Sequence, residues 1–148
     1  MNERFEQFTS LVMETARAMQ RIKDIEMKKL GLRASHTLCL YYLGTYKNGL
    51  TSSELTDYCK EDKAAVSRTL ADLIKRNLVK SLSQGKKVYR IKHVLTQKGQ
   101  EIYKELSKSI ERVFTKCSKG LSKEQIASFY RCLNEILSNL ITYEKAAV

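Results

Sequence analysis

The sequence predicts a mainly α-helical chain with one small β-hairpin, in the order ααααββαα. Three observations predict it. The 148 residues contain no proline and only six glycines, so long helices are free to form and a fold of many short strands and tight turns is disfavoured. Apolar residues recur at steps of three and four through most of the chain, which is the period of an amphipathic helix. Between Leu78 and Leu95 the period changes to two, as in strands.

The elements follow in order. Phe5, Phe8, Leu11/Val12, Ala16, Met19 and Ile22 mark a first helix over residues 4–29. It is longer than a small core needs. Ser35 is the expected N-cap of a second helix carrying Leu38, Tyr41, Tyr42 and Tyr46, which Asn48-Gly49 ends. Thr51-Ser52-Ser53-Glu54 has the pattern of a capping box and opens a short third helix with Leu55, Tyr58 and Cys59 inward. Asp62 can cap a fourth, whose inner face is Val66, Leu70, Leu73 and Ile74 and which stops near Asn77. Leu78–Leu82 and Val88–Leu95 then alternate as strands around Ser83-Gln84-Gly85-Lys86, with His93 sharing an inward face with Ile91 and Leu95. The fifth helix carries Ile102, Leu106, Ile110, Val113/Phe114 and Cys117 and breaks at Gly120. A second capping box, Ser122 to Gln125, opens the last, with Ile126, Phe129/Tyr130, Leu133, Ile136/Leu137 and Leu140/Ile141 as its stripe.

Composition narrows the function classes. Hydrophobic residues at 43% and charged residues at 29% are those of a globular protein, and the length suits a single domain, 1–148. No apolar run approaches the roughly 18 residues of a membrane span. Met1-Asn2-Glu3-Arg4 lacks the basic start and apolar stretch of a secretory signal. A cytoplasmic protein with no membrane partner is therefore expected. The net charge of +11 favours polyanions, nucleic acid first. The charge is also localised. From Leu73 to Gln100 there are eight basic residues (Lys75, Arg76, Lys80, Lys86, Lys87, Arg90, Lys92 and Lys98) and no Asp or Glu. Cys39, Cys59, Cys117 and Cys132 form no CxxC or Cys–His cluster, so no metal site and no cofactor is expected, and each reads as a small buried hydrophobe.

Two short helices joined by a tight turn and followed at once by a basic hairpin make a winged helix–turn–helix between residues 35 and 96. A helix that enters the major groove needs small or polar residues near its N-terminus, so that its backbone can approach base edges. Lys63, Ala64, Ala65, Ser67, Arg68 and Thr69 meet that need, while Val66, Leu70 and Leu73 hold the helix from behind. Arg68 is the residue suited to a bidentate contact with guanine, and Ser67 or Thr69 to a base edge or phosphate. Thr51, Ser52 and Ser53 lie at a helix N-terminus, where free amides suit a phosphate. The wing, with Lys86, Lys87 and Arg90, is placed for backbone or minor groove. Double-stranded DNA is the expected partner. The other reading of the same charge is a solvated basic face.

The run Leu50-Thr51-Ser52-Ser53-Glu54-Leu55, then Ala65-Val66-Ser67-Arg68-Thr69-Leu70-Ala71-Asp72-Leu73, Asn77-Leu78-Val79 and Leu95-Thr96-Gln97-Lys98-Gly99 resembles the MarR family of bacterial regulators. The resemblance covers the central half of the chain. It implies a homodimer whose first and last helices interlock over residues 1–30 and 97–145, flanking a DNA-binding lobe at 35–96. It also implies a palindromic operator and repression relieved by a small aromatic or anionic effector. The broad apolar stripes of the terminal helices point independently to a dimer. The family's effector pocket lies between lobe and dimer helices, where Arg17, Arg21, His36, Tyr41 and Tyr42 are the candidate lining. The alternative is that the tyrosines are core aromatics and the arginines surface groups. One departure stands out: the wing lacks the family's Asp-x-Arg, reading Ser83-Gln84-Gly85-Lys86-Lys87-Val88-Tyr89-Arg90. Lysine suits a narrow minor groove less well than arginine, so the wing is expected to supply phosphate affinity and leave specificity to the preceding helix.

The residues bear on three other function classes. Only His36 and His93 can act as bases at neutral pH, and no nucleophile motif or phosphate loop accompanies them, so an enzyme is not expected. A winged helix can serve as a protein-interaction module without sequence-specific DNA binding, although the acid-free stretch argues against it. A cysteine-based redox-sensing regulator is the third; relatives that sense oxidants use a cysteine near the end of the first helix, and none precedes Cys39.

Overall fold

Six helices and a three-stranded antiparallel sheet make up the residues described by this computed structural model, 3–82 and 91–147. The helices are α1 (Glu3–Lys29), α2 (His36–Thr45), α3 (Ser52–Cys59), α4 (Lys63–Lys75), α5 (Gln97–Cys117) and α6 (Lys123–Ala147). All six fall where helical periodicity places them. The sheet holds β1 (Leu50–Thr51), β2 (Val79–Leu82) and β3 (Lys92–Leu95) in the order β1–β3–β2.

Strand β1 is absent from the order ααααββαα and is an addition to it. Two residues are too few to show a period, and its pairing with β3 (Leu50↔His93, Thr51↔Lys92) is a long-range event. Gly49 admits it. Its φ of +79° is one that glycine adopts freely, and a Cβ there would lie 2.8 Å from the His93 carbonyl oxygen.

The expected side-chain cap at Ser35 is not formed. Ser35 already has helical dihedrals (φ −59°, ψ −23°), whereas a capping residue needs an extended backbone to turn its oxygen onto the following amides. Two tight turns, His36 N to Arg33 O and Thr37 N to Ala34 O, lead into α2 instead. Elsewhere the caps are as expected. Thr51 Oγ1 accepts from Glu54 N at 3.2 Å, and Glu54 Oε2 accepts from Thr51 N at 2.7 Å. Asp62 Oδ1 accepts from Ala65 N at 2.8 Å, and Ser122 and Gln125 bond reciprocally. Thr51→Ala is expected to lower stability by about 1 kcal/mol in a denaturant melt. A loss near zero would mean that the β1–β3 pairing alone holds the start of α3.

The Leu-Thr-x-x-Gly segment joins sheet to helix by specific contacts. Thr96 Oγ1 donates to Asn77 O at 2.7 Å and accepts from Gly99 N at 3.0 Å. At Gly99 a Cβ would collide with the Leu78 carbonyl. Asn77 holds φ +58°, as its position between helix and strand suggested.

The chain divides into two compact units, residues 1–109 and 110–148. In the first, Leu40 and Leu43 of α2, Leu55 of α3, Val66, Leu70 and Leu73 of α4, Val79 of β2 and Leu106 of α5 form one core. Helix α1 buries only Met27 and leaves Phe5, Leu11, Met19 and Ile22 exposed. In the second unit α6 buries nothing, and Phe129, Leu133, Leu137 and Leu140 lie exposed along it.

Candidate nucleic-acid interface

Helix α4 is the centre of the site. Lys60, between α3 and α4, takes a left-handed conformation (φ 55°) and makes the tight turn possible, though nothing about a lysine announces it. Val66, Leu70 and Leu73 are buried behind α4, while Lys63, Ala64, Ser67 and Arg68 are exposed on its outer N-terminal half and Ala65 is half-buried. Thr69 departs from the expected outer face. It is only 6% exposed, because at 100° per residue it falls about 40° beyond Leu73 and about 60° from Val66, still on the inner side.

Thr51 and Ser52, at the start of α3, are half-buried and Ser53 is exposed. Buried His93, in the central strand, lies under them. Its Nε2 is 3.2 Å from Ser52 Oγ and its Nδ1 3.2 Å from Ser81 Oγ, so one ring ties α3 to β2 across β3. Burial holds this histidine below its ordinary pKa. It packs in the wing base with buried Leu95, as their alternation suggested, whereas Ile91, expected on the same face, is exposed. Lys80 and Lys92 are exposed on the strands. The wing residues Gln84, Lys86, Lys87 and Arg90 lie outside the described residues.

A cluster behind α4 was not anticipated. Asp72 Oδ2 accepts from Arg33 Nη2 at 2.8 Å, His36 Nε2 at 2.8 Å and Arg76 Nε at 3.1 Å. Arg76 Nη1 also donates to Gly31 O at 3.2 Å. His36 Nδ1 accepts from Arg33 N, so the ring is neutral with its proton on Nε2. Burial pushes its pKa below 6.5, against the pull of Asp72. The bond from Arg33, with those from Arg76 and His36, holds Asp72 at about 2. The cluster joins the α1–α2 turn to the C-terminal half of α4. One signal for it existed: Asp72 is the sole acid between Asp62 and Glu101.

The candidate effector lining is not brought together as expected. His36 is fully enclosed with both nitrogens bonded, so it has nothing to offer a ligand. Tyr41 and Tyr42 are half-buried against the core, and Tyr42 stacks on Tyr58 with ring centroids 5.1 Å apart. Arg17 and Arg21 are exposed on α1. A depression of about 480 Å³ along α5, lined by residues such as Tyr103 and Lys104, includes none of the five. The cysteines divide: Cys39 and Cys59 are buried, but Cys117 and Cys132 are exposed, contrary to their apolar surroundings in sequence. They belong to helical stretches whose apolar stripes this single chain does not cover. Among the described residues no helix is long and apolar enough to cross a membrane, and no group of three or more His, Cys, Asp or Glu could hold a metal ion.

Comparison with known proteins points one way. Residues 30–87 match a family model described as the MarR family. The HTH-type transcriptional regulator YybA of Bacillus subtilis (strain 168) is 26% identical over 128 residues, covering 84% of this chain and 83% of the relative. A MarR family transcriptional regulator from Listeria monocytogenes, solved in complex with 26mer DNA, is 24% identical with a TM-score of 0.77, over 89% of this chain and 87% of that one. MarR from Staphylococcus aureus, solved with salicylate and kanamycin, is 17% identical with a TM-score of 0.80, over 95% of each chain. At these identities the two structures establish the shared fold.

Proposed function

We propose that this chain, which belongs to the MarR family and is a DNA-binding transcription regulator, works as a homodimeric, ligand-responsive repressor on a palindromic operator. The observation that carries this reading is the outer face of α4. Exposed Lys63, Ala64, Ser67 and Arg68 form a low, basic surface at a helix N-terminus whose back is fixed by Val66, Leu70 and Leu73. Such a face lets the backbone approach base edges, and Arg68 has the length and the forked donors to reach guanine O6 and N7. Thr51, Ser52 and Ser53 add phosphate contacts at the start of α3, and the wing lysines add more.

Residues 35–96 serve as the DNA-binding lobe of a single domain, and 1–30 with 97–145 as dimerisation helices. Two lobes related by a two-fold axis would then read two half-sites about one helical turn apart. The protein acts in the cytoplasm, where its DNA lies. A small aromatic acid is the effector class in view, by analogy with the relative solved with salicylate. Tyr41 and Tyr42 with Arg17 or Arg21 are its candidate contacts once a partner protomer is in place.

Arg68→Ala tests the reading directly. Affinity for the operator is expected to fall by about 1–3 kcal/mol, with preference relaxed at one base pair per half-site, in fluorescence-anisotropy titrations of systematically varied duplexes. An equal loss on every duplex would assign Arg68 to phosphate and remove α4 as the reader of sequence.

A further inference from the structure

Two cysteines meet beneath the helix–turn–helix. Cys39 of α2 and Cys59, the last residue of α3, have their sulfurs 3.8 Å apart, and both are buried. They are the only cysteines of residues 1–109. Their contact crosses from one helix to the next, and α3 continues through the tight turn at Lys60 into α4. The bond between the two thiols divides their behaviour. It draws Cys59 down, while the same bond and burial push Cys39 up. The contact sets a thiolate at either sulfur beside a protonated partner thiol, and Cys59, at the end of α3, is the one next to the exposed turn. Cys59 also ends a helix of eight residues and is followed by exposed Lys60. A small oxidant would reach the sulfur through local opening of that last turn.

We propose that Cys39 and Cys59 form an oxidation site that closes to an intramolecular disulfide in hydrogen peroxide, and that closure weakens DNA binding. The Cys59 thiolate attacks one peroxide oxygen, the O–O bond breaks, and with one proton taken up a sulfenic acid and water result. The Cys39 thiol then attacks that sulfur and expels the hydroxyl as a second water, its own proton going to the leaving oxygen. Overall two thiols give up two electrons and two protons to one peroxide. The sulfurs, now 3.8 Å apart, must close to about 2.05 Å, a movement of about 1.8 Å in a region where binding groups tolerate about 0.5 Å. The strain falls on α3 and, through the turn, on α4. This effect on DNA rests on the function proposed above; the disulfide itself does not.

The test uses full-length protein and a Cys117→Ser/Cys132→Ser variant, which removes the exposed thiols. After peroxide treatment, non-reducing peptide mapping is expected to find a Cys39–Cys59 cross-link, with the intact mass lowered by two hydrogens. DNA affinity is expected to fall about tenfold or more and to return with a reductant. Cys59→Ser should show neither change. Recovery of both Cys39 and Cys59 as free thiols in unfolded, peroxide-treated protein would overturn the site. A mapped disulfide with unchanged DNA affinity would overturn the coupling. Failure of the reduced protein to bind DNA would strike instead at the function, and the mapping result would still decide the oxidation site.

Discussion

Leu137→Asp is expected to leave the chain helical but monomeric, and to abolish specific operator binding. Leu137 is 54% exposed in α6, in line with Phe129, Leu133 and Leu140, and α6 buries none of its residues within its own chain. A stripe of this length has no reason to face water unless a partner covers it. A two-fold axis would repeat any change on both sides of the interface, so one substitution places two carboxylates where apolar contact was. Desolvating each would cost several kcal/mol, enough to turn a stable dimer into monomers at micromolar concentration. Light scattering after size exclusion reads the mass, and circular dichroism confirms that the helices survive. A variant that stays dimeric would remove α6 from the interface.

Asp72→Ala is expected to destabilise the protein by about 2–4 kcal/mol, read as a shift in urea midpoint. One oxygen of Asp72 accepts from three donors, and the most costly loss is at His36, whose Nε2–H is fully buried and has no other bond. An unpaired buried donor costs about 1–3 kcal/mol, and the more exposed pairs with Arg33 and Arg76 add up to about 1 kcal/mol each. A pH dependence accompanies this. The folded pKa of Asp72, about 2, lies below its ordinary 3.8. Its contribution is therefore complete above pH 3.8 and is lost as pH falls through 2. The variant should lack that segment of the acid-unfolding profile. A loss below 1 kcal/mol would mean that the cluster only decorates the surface.

How far the sequence could be read depends on the range of the interactions involved. Helical stripes and capping boxes are local, and Thr51/Glu54, Asp62 and Ser122/Gln125 sit as the sequence placed them. The face of α4 was also legible, because Val66, Leu70 and Leu73 set its phase, although Ile74, expected with them, is 40% exposed. Thr69 is polar by type but inward by phase, and type alone sets it on the outer face. The Asp72 cluster escaped because its partners are up to 39 residues away, and because Arg33 and Arg76 read as ordinary basic surface. His36 looked like a ligand contact for the same reason: its role depends on an aspartate two helices distant. Strand β1 depends on β3 and so had no local signature. Cys117 lies on a stripe that this chain alone does not bury, and Cys132 lies beside the stripe of α6 and not on it, so both are exposed.

Titration of the protein against a duplex from upstream of its own gene, at several salt concentrations, tests the central claim most directly. The predicted result is two protomers per palindromic site, preference over a scrambled duplex by at least about a thousandfold, and affinity falling steeply with salt as phosphates are neutralised. A folded dimer that binds scrambled and upstream DNA alike at moderate salt would contradict it, and would leave the basic face of α4 and the wing to some other partner.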